Sequence, residues 1–327
     1  MRPLRFEELY QDEWAELEAD LDQISDSKRG SATGRTAPSG VRVAALYRRV
    51  CDQLALARAR SYPAYLIDRL ERMTARAHQA IYYRPEFGLR LLGQFVTNKF
   101  PVAVRAHAGY VATAAATFFL PAIVTGLLVY WRPELILSVV SSETASSFED
   151  MYSSSAASIG RTRTASTDWM MFGYYIRNNV SIAFQCFAGG LFAGVGSLFF
   201  LAYNGAFSGA LAGYLTARGL SSTFYPFIST HSAFELTAIV LSGAAGLRIG
   251  HALLVPRRFT RIASLVRAAQ DAAVLLYGVT AMLLVAAAVE AFWSSTRWLP
   301  AATKYGVAAV CWTAVLGYFL FQGRRAG

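Results

Sequence analysis

The run VSIAFQCFAGGLFAGVGSLFFLAYNGAFSGALAGYLTA, residues 180–217, contains no Asp, Glu, Lys, Arg or His. A membrane span takes about 20 apolar residues, since the hydrocarbon core is about 30 Å thick and a helix rises about 1.5 Å per residue. This run is therefore too long for one span. Its best internal turn is Asn204-Gly205, which divides it into Val180–Tyr203 and Asn204–Ala217. The second piece would rise only about 21 Å as a helix, so a re-entrant loop is the alternative.

Further spans flank this one. Ala106–Trp131 has one ionisable residue, His107, and ends on the interfacial pair Tyr130-Trp131. Phe227–Val255 carries His231, Glu235, Arg248 and His251, Ala272–Trp293 carries Glu290, and Tyr305–Phe321 carries no charge. Basic loops favour the cytosolic side. Pro256-Arg257-Arg258-Phe259-Thr260-Arg261 and the tail Arg324-Arg325 both fall there with six spans, but not with five and a re-entrant loop. Arg248 then reads as snorkelling to the cytosolic interface and Glu290 as lying near the outer one.

Composition supports this. Of 327 residues, 54% are hydrophobic and 16% charged, against about 25% charged in soluble domains. Disorder and disulfide scaffolds are excluded; Cys51, Cys186 and Cys311 show no ligand spacing and read as reduced packing residues. Residues 1–105 hold more than half of all charged side chains. Basic and acidic groups interleave there without a recognition motif, so the net charge of +10 reads as membrane orientation, with no nucleic-acid partner. Met1–Ile24 is acidic and lacks an apolar signal core, so the N-terminus is expected in the cytosol.

Within residues 1–105, Leu4, Phe6, Leu9, Tyr10, Trp14, Leu17, Leu21 and Ile24 form an amphipathic helical stripe. Ser25–Gly40 reads as a loop. A second stripe runs through Val43, Leu46, Tyr47, Val50 and Leu54, and a third, from Pro63, through Leu66, Leu70, Met73, Ala77 and Ile81. The three faces predict a small helical bundle, and Phe87–Phe100 an interfacial elbow. Arg48, Arg49, Arg58, Arg60, Arg69, Arg72 and Arg76 suit either a lipid-headgroup surface or a solvated bundle face. The expected class is therefore an all-α polytopic membrane bundle of about six spans. Residues 1–105 form its cytosolic helical domain, residues 106–327 its transmembrane domain, and residues 132–177 an external loop, Ser/Thr/Ala-rich over Ser141–Thr167.

Gly190-x3-Gly194, Gly205-x3-Gly209-x3-Gly213 and Gly246-x3-Gly250 have the spacing of helices in close approach, within one chain or between two in a homodimer. Polar groups inside hydrocarbon are costly and mark function or structure. His231 and Glu235 share one helical face. Four roles stay open for them: a satisfied structural pair, metal ligation, proton relay, or binding of a polar headgroup. As metal ligands they are candidates only, since zinc needs at least a third group. Asn178-Asn179 at the outer end of the second span and Asn204 at the turn are caps, or hydrogen-bond across helices to the same face. No nucleophile elbow, P-loop or dinucleotide fingerprint is present, so no catalytic residue and no cofactor is assigned, and an enzyme is disfavoured.

The ordered features resemble the stage II sporulation protein M family. The resemblance rests on Phe6, Trp14 and Leu17, on Tyr47-Arg48-Arg49 with Asp52-x-Leu54-Ala55, on Asn178-Asn179, and on Ala188-Gly189-Gly190 with Gly194. It continues through Asn204-Gly205 with Gly209-Ala210-x-x-Gly213, His231-x-x-x-Glu235-Leu236 and Ala244-Ala245-Gly246-Leu247. Ser232 departs from it, where glycine is expected after the histidine. The resemblance implies a multi-pass protein of the bacterial cytoplasmic membrane with both termini cytosolic. It further implies a scaffold whose partners are the lipid bilayer and envelope proteins or cell-wall enzymes, and it supplies no catalytic residues. Against the scaffold stand a transporter or lipid-handling permease with an intramembrane polar cavity, and a membrane metallohydrolase built on His231 and Glu235.

Overall fold

The computed structural model describes residues 2–28, 39–82, 88–153, 165–256, 258–296 and 298–324. Most of the expected Ser25–Gly40 loop, the middle of Ser141–Thr167, and Arg257 and Arg325 lie outside these residues. No strand occurs among the described residues, and the chain is all-α. It divides into two compact units, Met1–Leu91 and Leu92–Gly327.

The first unit contains α1 (Pro3–Lys28), α2 (Gly40–Ala59) and α3 (Ala64–Tyr82). Helix α1 runs through Lys28, past the expected loop start at Ser25. Phe6, Trp14, Leu17, Val50, Leu66 and Leu70 are fully buried, so the three stripes face one another, except that Leu4 and Leu9 of the first are exposed. The Trp14 indole N–H donates to Gln53 Oε1 at 2.6 Å, and Gln53 Nε2 donates to Glu13 Oε2 at 2.9 Å, which satisfies the buried indole and amide. Arginines pair with acids on the other helices: Arg49 with Glu13 (3.0 Å), Arg69 with Glu18 (3.3 Å) and Arg76 with Asp22 (2.5 Å). This part of the basic surface is a solvated face already tied to the bundle's own carboxylates.

The boundary falls within α4 (Leu89–Gln94), and the second unit continues with a π-helical turn at Phe95–Lys99 and α5 (Phe100–Ala106). Then come α6 (Ala108–Trp131), α7 (Ser142–Tyr152), α8 (Ala165–Ala188), α9 (Val195–Ala217), α10 (Ser221–Ile228), α11 (Ser232–Leu254), α12 (Arg261–Ala288) and α13 (Ala301–Phe321). Five described helices are long and apolar enough to cross a membrane: α6, α9, α11, α12 with its continuation to Ser294, and α13. Helix α8 is as long but carries Asp168, Arg177, Asn178 and Asn179.

Two expectations need correction. Asn204-Gly205 is no turn: both lie within α9, where Asn204 Nδ2 donates to the Phe200 carbonyl one helical turn back (2.8 Å). The chain breaks instead at Ala193 (φ 55°) and Gly194 (φ 85°), the left-handed region in which glycine carries no Cβ penalty. The 180–217 run is therefore the end of α8 plus the whole of α9, and residues 204–217 are the second half of a full-length helix. Asn178 and Asn179, expected at the end of a span, lie mid-helix, because α8 starts at Ala165, inside the stretch 132–177 read as a loop.

Helix α11 is central. Every residue from Ala238 to Gly246 is buried, so it is apolar or small on all sides, as a helix enclosed by others must be. The glycine runs pack within the chain. A Cβ on Gly205, Gly209 or Gly213 of α9 would collide with the backbone of Phe118, Ala122 or Gly126 on α6. A Cβ on Gly190 would likewise collide with the Gly246 backbone of α11, and one on Gly250 of α11 with the backbone of Gly194. Lipid does not drive helices together hydrophobically, so such backbone contact is the main source of their attraction. The outer faces of α6, α9 and α13 stay apolar, with Ile123, Leu127, Phe199, Val310 and Leu316 exposed.

Gly209→Val forces a branched side chain into the α6 backbone and is expected to cost about 1–3 kcal/mol or more. Gly306→Ala on α13, where a Cβ meets nothing within 4 Å, is expected to be neutral or stabilising by up to about 1 kcal/mol. Unfolding in mixed micelles measures both; equal losses contradict the packing.

Candidate functional site

Most of the buried polar groups of the second unit gather at one end, where α6, α9 and α12 finish and α8, α11 and α13 begin. Here the chain leaves α9, makes the short helix α10 with Pro226 inside it, and turns directly into α11. His231 is the residue before α11, and Glu235 lies in the first turn, so the i, i+4 spacing holds both toward the same space. His231 is 4% exposed. Its Nε2 stands 3.9 Å from Glu235 Oε2, beyond hydrogen-bond range, while its Nδ1 is 2.9 Å from Ser294 Oγ. The Phe227 ring packs edge-on against the imidazole, with centroids 5.5 Å apart.

Glu290 completes the group. It and Ser294 belong to a π-helical turn, Val289–Ser294, that continues α12. Such single turns, with one extra residue in the helical ladder, recur at functional sites. One ligand atom each from His231, Glu235 and Glu290 lies within 4.8 Å of the others. Position alone had put Glu290 near the outer interface. The link was hidden in sequence because a residue 55 positions beyond Glu235 comes alongside it only through helix packing. Lys304 of α13, 3% exposed, was missed too; its ammonium donates to the Ser294 carbonyl at 2.7 Å. Ser294 therefore touches the histidine through its hydroxyl and the lysine through its carbonyl.

His231, Glu235 and Glu290 line a cavity of about 480 Å³ together with Asn178, Asn179 and Tyr152. Asn178 Nδ2 donates to Asn179 Oδ1 at 2.9 Å. Asn179 is 1% exposed, and its own Nδ2 has no hydrogen-bond partner among the described residues. Asn204 lies apart from the cavity, its amide used within α9. Helix α7 closes over the cavity with Phe148 and Tyr152. Burial, and then the nearby Glu290, Tyr175 and Glu235, hold the Tyr152 phenol well above its ordinary range. Helix α7 is held in turn through Glu149, which accepts hydrogen bonds from Tyr214 and from Arg218 Nε (2.7 Å) at the end of α9. These bonds keep the Glu149 carboxyl below its usual range.

A second polar group sits at the opposite end of the unit. Arg248 Nη2 contacts Asp271 Oδ2 at 3.1 Å, His107 Nε2 lies 3.8 Å from the same oxygen, and the Tyr110 hydroxyl meets His251 Nδ1. Arg248 is thus bound to an acidic partner on α12 rather than merely reaching toward an interface.

Apolar helices with lipid-facing outer surfaces, packed through glycines around a polar cavity at one end, define a multi-pass membrane protein. A family model, stage II sporulation protein M, matches residues 115–295, more than half of the chain, and the chain belongs to that family. His231, Glu235 and Glu290 all fall within the matched stretch. A domain of unknown function, DUF8413, matches residues 4–83, the stretch that folds as α1–α3. Comparison with curated proteins and with solved structures found no match.

Proposed function

We propose that the protein binds a small polar or charged ligand in the cavity between α8, α10, α11 and the π-turn, as a permease-type or ligand-sensing component of the bacterial cytoplasmic membrane. The observation that carries this reading is the cavity itself: a space of about 480 Å³ walled by a histidine, two glutamates and two asparagines. Ionisable groups at membrane depth face water-filled or ligand-filled space because hydrocarbon cannot solvate them. With α8 counted as a sixth crossing, both termini of the second unit fall on one side. That side carries Arg105, Arg248, Arg258, Arg261, Arg267 and Arg324 and is the cytosolic one by the positive-inside rule. The cavity then opens toward the outer face, beside Trp131, Trp169 and Trp298, exposed aromatics suited to the membrane interface.

Cysteine labelling tests the cavity. In a background without Cys51, Cys186 and Cys311, Ser232→Cys lies in the cavity wall and Val310→Cys on the lipid face. A charged, water-soluble thiol reagent reacts with the thiolate, which forms only in contact with water. It is expected to label Ser232→Cys in membranes at least about tenfold faster than Val310→Cys. Equal, slow labelling of both means a dry cavity and defeats the reading.

A second reading, an organiser of peptidoglycan-remodelling partners, is what the resemblance to the stage II sporulation protein M family implies, and the separately cored helical unit α1–α3 suits it. Crosslinking in intact membranes is expected to co-purify a cell-wall hydrolase or synthase with the full chain. Recovery of no envelope enzyme contradicts it.

A further inference from the structure

We infer that the ligand class of this cavity is a divalent transition-metal cation, zinc or manganese, held by His231, Glu235 and Glu290; the inference rests on the cavity reading above and narrows it. The three residues come from two separate helical segments, the entry to α11 and the π-turn after α12, yet each offers one ligand atom within 4.8 Å of the others. Three ligands at about 2.0–2.2 Å from one zinc ion lie about 3.3–3.8 Å from one another. Rotamer adjustments of about 1 Å therefore close the site. One imidazole with two carboxylates suits zinc and manganese better than calcium, which takes oxygen ligands alone. Three protein ligands also leave coordination positions open to water or to a ligand entering from the cavity.

Three observations independent of ligand identity point the same way. His231 has the partner that metal-binding histidines use: Nδ1 lies 2.9 Å from the Ser294 hydroxyl, and in the tautomer with the proton on Nδ1 that hydroxyl accepts it and Nε2 is left to bind a cation beside the carboxylates. Two carboxylates brought this close repel one another, and a cation between them reverses the sign of that interaction. In the wall of the same cavity the Asn179 amide N–H2, 99% buried, has no hydrogen-bond partner among the described residues, so it is placed to donate to water or an anion bound on the metal's open side.

The test uses the full chain in nanodiscs, stripped with a chelator and titrated with zinc and with manganese, bound metal being read by elemental analysis and by the shift in thermal unfolding. One equivalent is expected in the wild type. Glu290→Gln and His231→Ala are each expected to weaken binding at least about tenfold and to abolish the metal-dependent shift, while Asn204→Ala keeps both. Glu290→Gln retains side-chain size, so a fold as stable as wild type without metal separates lost ligation from lost structure. Equal binding by wild type and the triple variant His231→Ala, Glu235→Gln, Glu290→Gln overturns the metal site, as does no binding by either. If Ser232→Cys is still labelled from water in that case, the cavity reading stands and a proton or organic solute is its occupant; an unlabelled cavity removes both.

Discussion

Helices in lipid attract one another by close packing, because their apolar side chains gain nothing by leaving hydrocarbon. In this protein the close packing is glycine against backbone. The α9 run Gly205, Gly209 and Gly213 lies on the backbone of Phe118, Ala122 and Gly126, and Gly190 and Gly194 lie against Gly246 and Gly250. These contacts fix the register of α6, α9 and α11. Register decides which polar groups meet, so the convergence of His231 and Glu235 with Glu290 depends on positions that touch none of the three.

The site joins two local departures from regular helix. One is the turn from α10 into α11 that places His231 immediately ahead of the helix. The other is the π-turn after α12, which carries Glu290 and Ser294. Ser294 ties them together, touching the imidazole with its hydroxyl and the Lys304 ammonium with its carbonyl. A polar cluster so connected is costly to leave half-satisfied, which gives the surrounding packing a reason to hold it precisely.

Much of the architecture was legible in residues. The all-α membrane class followed from uncharged runs, and the three-helix unit from stripes such as Phe6-Trp14-Leu17, all fully buried. The glycine runs identified the packing surfaces, though not their partners. The break in the 180–217 run was misplaced because Asn204-Gly205 is a good turn pair in water, whereas inside a membrane a helix keeps its backbone satisfied wherever it can. The true break uses Gly194 at positive φ, a conformation that spacing does not reveal. At the site, the His231–Glu235 pair was readable from i, i+4 spacing. Glu290 was seen only as one acid in an apolar span, since its proximity comes from α12 packing on α11. Asn204 looked polar and exposed to neighbours, but its amide is consumed by its own helix.

The central claim is that Glu235 and Glu290, on different helices, act on one another beside His231. A double-mutant cycle with Glu235→Gln and Glu290→Gln, read as unfolding free energy in mixed micelles, measures this most directly. Coupling of at least about 0.5 kcal/mol is the predicted result, because each removal relieves the carboxylate that remains; strictly additive effects, the behaviour of separate sites, would contradict it.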